Sequence, residues 1–112
     1  MNAQKKRILL FAKRPVPGKV KSRLANSIGE QAAAQVYSQL LFKNIREISN
    51  LISVERWVLS SKKTDISWFR EKIRVPGWQI SYQGEGDIGA RMLEAFTRFS
   101  TQGVLTIIVG SD

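Results

Sequence analysis

Lys19, Lys21 and Arg23 alternate along the chain directly behind the turn Pro15-Val16-Pro17-Gly18. An arginine can grip a phosphate with two donors, and a lysine supplies a compact charge. Gly18 can let the backbone approach a ligand closely. Ser22 adds a hydroxyl donor. Pro17, Gly18, Lys19, Lys21, Ser22 and Arg23 therefore read as the cofactor-binding core of a basic phosphate loop over residues 14–24. Its charge suits a di- or triphosphate. The plainer alternative is a solvated basic loop. It is not a Walker loop, because the earlier glycine is missing and Val20 follows the lysine.

Two further clusters carry chemistry. Gly84-Glu85-Gly86-Asp87-Ile88-Gly89 matches the spacing of a dinucleotide-binding turn. Glu85 and Asp87 would set two negative charges beside a pyrophosphate, so an NAD-type fragment is the alternative rather than the leading reading. The other alternative is a glycine turn with Asp87 as a helix cap. Asp112, behind an apolar run, is placed to hold a cation against phosphate oxygens. With no histidine and no cysteine in the chain, a metal must be held by oxygen, which points to Mg²⁺ or Mn²⁺.

These residues need elements to position them. Residues 8–12 form a continuous apolar run, as in a strand buried on both faces. A long helix is expected over 28–51, with Ser27 and Glu30 at capping-box spacing. Its buried stripe is read as Ala33, Tyr37, Leu40, Leu41, Ile45, Ile48 and Ile52. A strand over 56–60, a short helix over 65–73 capped by Thr64, and a strand over 78–83 follow. A helix then carries Ile88, Met92, Ala95, Phe96 and Phe99 on one face and stops at Gly103. Residues 104–109 read as a last buried strand. The order β-α-β-α-β-α-β predicts an α/β, Rossmann-like three-layer α/β/α fold with a mainly parallel sheet. Residues 1–112 read as one nucleotide-binding half-domain. The three clusters follow the first, third and fourth strands, so they share one rim of that sheet.

Charge narrows the partners. The chain has 112 residues and a net charge of +9. Residues 1–24 hold eight basic side chains and no acid, whereas the rest are nearly balanced. The positive field is local and asks for a local anion. Lys5, Lys6 and Arg7 precede the first strand, at the opposite end of the sheet, and read as solubilising charge. Trp57, Trp68 and Trp78 do not interleave with the basic residues, which argues against nucleic acid. Hydrophobic residues make up 43% of the chain, enough for a core, and no run approaches a membrane span. A cytoplasmic protein without a membrane partner is expected.

The run Phe11 to Leu24, the run Gln83 to Met92 and the segment Ile108-Val109-Gly110-Ser111-Asp112 together resemble a bacterial glycosyltransferase-A-like family. It is the radical-SAM/selenodomain-associated transferase type, related to nucleotide-diphospho-sugar transferases. The resemblance implies a transferase, glycosyl or nucleotidyl, that takes a nucleotide sugar or a nucleoside triphosphate. Lys19, Lys21 and Arg23 would face phosphates, with Lys21 and Arg23 taking part in catalysis. Gly86, Asp87 and Arg91 would lie on the nucleoside side, and Asp112 would be catalytic and hold the metal. Ser22 stands where threonine is usual, and Lys43-Asn44 where an aspartate is common. Family members continue past Gly-Ser-Asp, so the chain reads as the N-terminal half, truncated, inactive alone and prone to homo-oligomerise. A non-catalytic nucleotide- or nucleic-acid-binding module is the rival from another class.

Overall fold

The computed structural model describes residues 5–111. Its elements are β1 (Lys5–Ala12), α1 (Ser22–Ile28), α2 (Glu30–Ser49), β2 (Val54–Ser60), α3 (Ile66–Lys72), β3 (Trp78–Tyr82), α4 (Ile88–Phe99) and β4 (Val104–Gly110). A 3₁₀ turn at Lys63–Asp65 leads into α3. The four strands form one sheet in the order β3-β2-β1-β4. All three pairings are parallel, with Leu10 opposite both Val58 and Val109. The fold is α/β, as the alternation of elements predicts.

Parallel neighbours need crossovers, and these are almost always right-handed. From β1 the chain steps twice in one direction, to β2 and β3. It then reverses to place β4 on the far side of β1. Reversal at constant hand moves the covering helix to the other face. The two cores reflect this. Leu10, Ala12 and Val58 pack with Tyr37, Leu41 and Ile45 of α2 and Phe69 of α3. Leu9, Phe11 and Leu59 pack with Ala95 and Phe99 of α4. Strand side chains alternate between faces, so the unbroken run Ile8 to Ala12 serves both layers. Truncating a side chain such as Leu10, fully buried, costs about 2–5 kcal/mol.

Several local expectations are corrected. The long helix expected from residue 28 begins only at Glu30, because Gly29 has a φ of 93° that a side chain rarely adopts, and a separate helix, α1, precedes it from Ser22, partly in residues read as loop. Ser27 lies inside α1, so the capping box with Glu30 does not form, and Gly29 caps α2 without a side-chain bond. The stripe on α2 keeps Ala33, Tyr37, Leu41 and Ile45. Leu40 is exposed, and Ile52, 88% exposed, lies beyond the helix end. Thr64 is in the 3₁₀ turn, and α3 begins after Asp65 rather than at it. α4 ends at Phe99 with Ser100 as its cap, before Gly103. Only Ala95 and Phe99 of its apolar face are buried. β4 is half-exposed rather than buried, because it lies at the edge of the described sheet.

Arg7 is also more than solubilising charge. It lies within β1, and its guanidinium pairs with Glu55 at 2.9 Å while bonding the Phe99 carbonyl. Burial raises the Glu55 carboxyl, but hydrogen bonds from Arg7 and Trp57 and the charges of Arg7 and Lys5 outweigh it and hold the group below its ordinary value. Lys5 and Lys6 are exposed at the amino end of the sheet, as expected.

Candidate functional site

In open α/β sheets the natural crevice lies beyond the strand carboxyl ends where strand order reverses. Here that point lies between β1 and β4. The loops leaving both strands are fixed there by a chain of hydroxyl groups. Tyr37, fully buried on α2, accepts the Lys13 amide at 2.8 Å. Its hydroxyl lies 2.8 Å from Ser111 Oγ, which donates to the Phe11 carbonyl at 2.7 Å. One helix residue thereby ties the first residue after β1 to the first after β4.

Gln83 does the same for β2 and β3. It is 3% exposed and follows β3 directly. Its amide nitrogen donates to the Leu59 carbonyl at 2.8 Å, and its oxygen accepts from Arg91 at 3.2 Å. Arg91 Nε also donates to the Gly86 carbonyl at 2.7 Å. Gly86 has a φ of 98°, which turns that carbonyl back toward α4. Asp87 caps α4, accepting the Ala90 amide at 2.8 Å, as the plain glycine-turn reading anticipates. Glu85 is engaged with Tyr82. The hydrogen bond to that carboxylate, aided by partial desolvation and its charge, raises the Tyr82 phenol above its ordinary value despite Arg91.

Two clefts meet on this rim. One, of about 510 Å³, is mainly apolar and is lined by Phe11, Ala12, Ile88, Met92 and Gly110, with Lys13, Gln83, Arg91 and Ser111. The other, of about 270 Å³, is basic and is lined by Lys13, Arg14, Lys19, Lys62 and Arg91, with Val16, Ser61 and Asp65. Lys13 and Arg91 line both and so form the shared wall. Asp65, the acid among the basic cleft's described lining residues, lies 3.9 Å from Arg14, whose guanidinium also stacks over Trp68.

The local sequence explains how each cation reaches the basic cleft. Pro17 and Gly18, with φ 84°, sit at the centre of a turn closed by the Lys19 amide on the Val16 carbonyl, at 3.0 Å. This is the residue pattern of a type II turn. Val20, 1% exposed, plugs the loop into the core beside Leu10 and Ala12, which leaves Lys19 outside. Ser60, buried at the end of β2, bonds the Lys62 amide and carbonyl and so shapes the loop that presents Lys62.

The expected residues divide. Lys19 and Arg91 share the basic cleft. Lys21, Ser22 and Arg23 line a separate open cleft with Leu24, Val36 and Leu40. Ser22 and Arg23 belong to the first turn of α1, and Lys21, with φ 50°, leads into it. Pro17 faces another groove beside Pro15 and Trp68. The open side of Gly18 is taken by the Glu30 carboxylate, 3.3 Å from where a side chain would start. Gly86 and Asp87 build the turn that holds Arg91. Asp112 lies outside the described residues. Among those residues, no three acidic, histidine or cysteine side chains gather to hold a metal. No described helix is long and apolar enough to cross a membrane.

Sequence reasoning missed Lys62, Lys13 and the supporting pair Tyr37 and Gln83. The loop after β2 carries no glycine or proline to flag it. Gln83 did leave a signal, a long polar side chain where the third strand meets its glycine turn.

No protein-family model and no curated protein matches the sequence. Among solved structures, the chain is similar to one from Desulfovibrio desulfuricans G20, provisionally designated a nucleotide-diphospho-sugar transferase. The TM-score is 0.83 at 26% sequence identity, covering 98% of this chain and 48% of that one. The chain thus has a nucleotide-diphospho-sugar transferase type of fold and spans about half the length of that structure.

Proposed function

We propose that the paired clefts bind a nucleotide-activated donor, a nucleotide sugar or a nucleoside triphosphate, as part of a transferase. The observation that carries this reading is the shared wall. Lys13 and Arg91 line an apolar cleft sized for a nucleoside on one side and a basic cleft on the other. The nucleoside rests against Phe11, Ile88 and Met92, and the phosphates face Lys13, Lys19, Lys62 and Arg91. Fixed cations aimed at phosphate oxygens stabilise a departing nucleoside diphosphate in glycosyl transfer, or a departing pyrophosphate in nucleotidyl transfer. The finer kinship, to the radical-SAM/selenodomain-associated type, rests on the three sequence motifs.

The glycine turn supports this reading over an NAD-type site. Asp87 occupies the Ala90 amide at the start of α4, where a dinucleotide would place its pyrophosphate. Mg²⁺ or Mn²⁺ at Asp112 stays a proposal of the sequence. Among the described residues no three acidic side chains gather beside it, and an ion held by Asp112 would add its charge to that of the basic groups. Homo-oligomerisation is proposed on the exposed apolar face of α4, where Leu93 is 70% exposed.

Calorimetric titration with nucleoside triphosphates, nucleotide sugars and NAD tests the reading. Binding of a nucleotide or nucleotide sugar that is lost in Arg91→Ala is expected. NAD binding unaffected by Arg91→Ala, or no nucleotide binding, would overturn it.

A further inference from the structure

We infer that Gln83 is a positioning residue: it orients Arg91 on the wall between the two clefts and, being uncharged, leaves the guanidinium's charge for an anionic ligand. This rests on the reading that the clefts take a phosphate-bearing ligand. Gln83 is buried and touches the end of every strand on its side of the crevice. Its backbone amide donates to the Ser60 carbonyl at 2.9 Å. Its side-chain nitrogen lies 2.8 Å from the Leu59 carbonyl and 3.5 Å from that of Ala12. These two oxygens belong to the ends of β2 and β1 and are held by the sheet. They fix which end of the carboxamide points where, since the opposite orientation would set oxygen against oxygen. The Gln83 oxygen must therefore face Arg91, and it accepts from Nη1 at 3.2 Å.

Arg91 is then held at two points, Gln83 Oε1 and the Gly86 carbonyl. Both acceptors are neutral. Among the described residues, no carboxylate forms an ion pair with Arg91. A guanidinium has five N–H donors, so most remain for a ligand. Ordering such a side chain in advance removes part of the entropic cost of binding. A glutamate at position 83 could hold the arginine equally well, but it would quench the charge and press a carboxylate toward two carbonyl oxygens. Asparagine would be one methylene too short to span both contacts. Gln83 borders the apolar cleft but is only 3% exposed, and both ends of its carboxamide are engaged, by the Leu59 carbonyl and by Arg91, so its effect on the phosphates runs through Arg91.

The test uses inorganic pyrophosphate as the probe, titrated calorimetrically into the whole chain at low salt. Arg91→Ala is expected to weaken binding about tenfold or more, and Gln83→Met about three- to tenfold, as fits the loss of one charged contact and of its ordering. The double variant should bind no more weakly than Arg91→Ala alone, because the two residues act as a unit. A second readout needs no ligand. The ¹⁵N signal of Arg91 Nε–H should broaden or move in Gln83→Met and persist in Gln83→Glu, although Gln83→Glu binds pyrophosphate less tightly than the unchanged chain. Losses that multiply in the double variant, or an Arg91 signal indifferent to Gln83→Met, would overturn the inference while leaving the phosphate reading intact. If Arg91→Ala binds as well as the unchanged chain, the phosphate reading fails, and with it the role assigned to Gln83.

Discussion

The hydroxyl of Tyr37 lies 2.8 Å from Ser111 Oγ across a sequence separation of 74 residues. The contact joins the middle of α2 to the end of β4 at the strand-order reversal. Tyr37→Phe keeps the ring and removes the hydroxyl that the Lys13 amide donates to. Leaving such buried groups short of a partner costs about 1–3 kcal/mol. For a domain near 100 residues each kcal/mol lowers the melting temperature by roughly 4–8 °C. Thermal unfolding followed by circular dichroism checks this, and an unchanged midpoint would refute it.

The Arg7–Glu55 pair makes stability depend on acid. The folded Glu55 carboxyl sits below its ordinary 4.5, so its contribution is complete above that value and is lost as pH falls through the lower folded value. Glu55 is partly exposed, so the pair contributes at most about 1 kcal/mol. Glu55→Gln should melt a few degrees below the unchanged chain at pH 7, and the gap should close in strong acid. A gap that widens on acidification would contradict this.

Gly86 should not tolerate a side chain. A Cβ there would lie 3.1 Å from that of Ala90, at a φ of 98°. Gly86→Ala is expected to cost about 1–3 kcal/mol through backbone strain. It should also weaken nucleotide binding, because the Gly86 carbonyl holds Arg91. Thermal melts and calorimetry on the same variant measure both effects.

The basic cleft predicts which lysines matter. Lys19→Ala and Lys62→Ala should each raise the Kd for a nucleoside triphosphate about tenfold, the equivalent of one charge-assisted contact of about 1.4 kcal/mol. Lys5→Ala, at the other end of the sheet, should leave it unchanged. Equal losses from all three would point to a diffuse charge effect rather than a site.

Self-association through α4 is checked by light scattering. The exposed side chains of Leu93 and Phe96, which do not line the clefts, favour an assembly larger than the monomer at high concentration. Leu93→Glu should shift it toward the monomer without lowering the melting temperature, since this side chain is not in either core.

Much of the fold was legible because it rests on short-range rules. The run Ile8 to Ala12 reads as a strand buried on both faces, and a cap by Asp87 is among the readings of the glycine turn before an apolar helical face. The break at Gly29 was not legible. Glu30 to Ser49 and Ser22 to Ile28 both carry helical spacing, and a glycine between them is tolerated in a helix until packing demands a turn. The same holds for the site. Lys19 and Arg91 stood out as cations beside glycine turns, whereas Lys62 rests on an unremarkable loop that only the β1–β2 pairing brings to the rim.

By itself, the sequence determined the alternation of strands and helices, the parallel sheet and the rim on which the candidate residues gather, because hydrophobic period and turn residues are local properties. Tertiary structure decided which cations face one another. The step from β3 back across to β4 opens the crevice, Tyr37 and Gln83 pin its edges, and the first turn of α1 carries Ser22 and Arg23 into another cleft. Those outcomes depend on contacts between residues far apart in the chain, and spacing along one segment does not encode them.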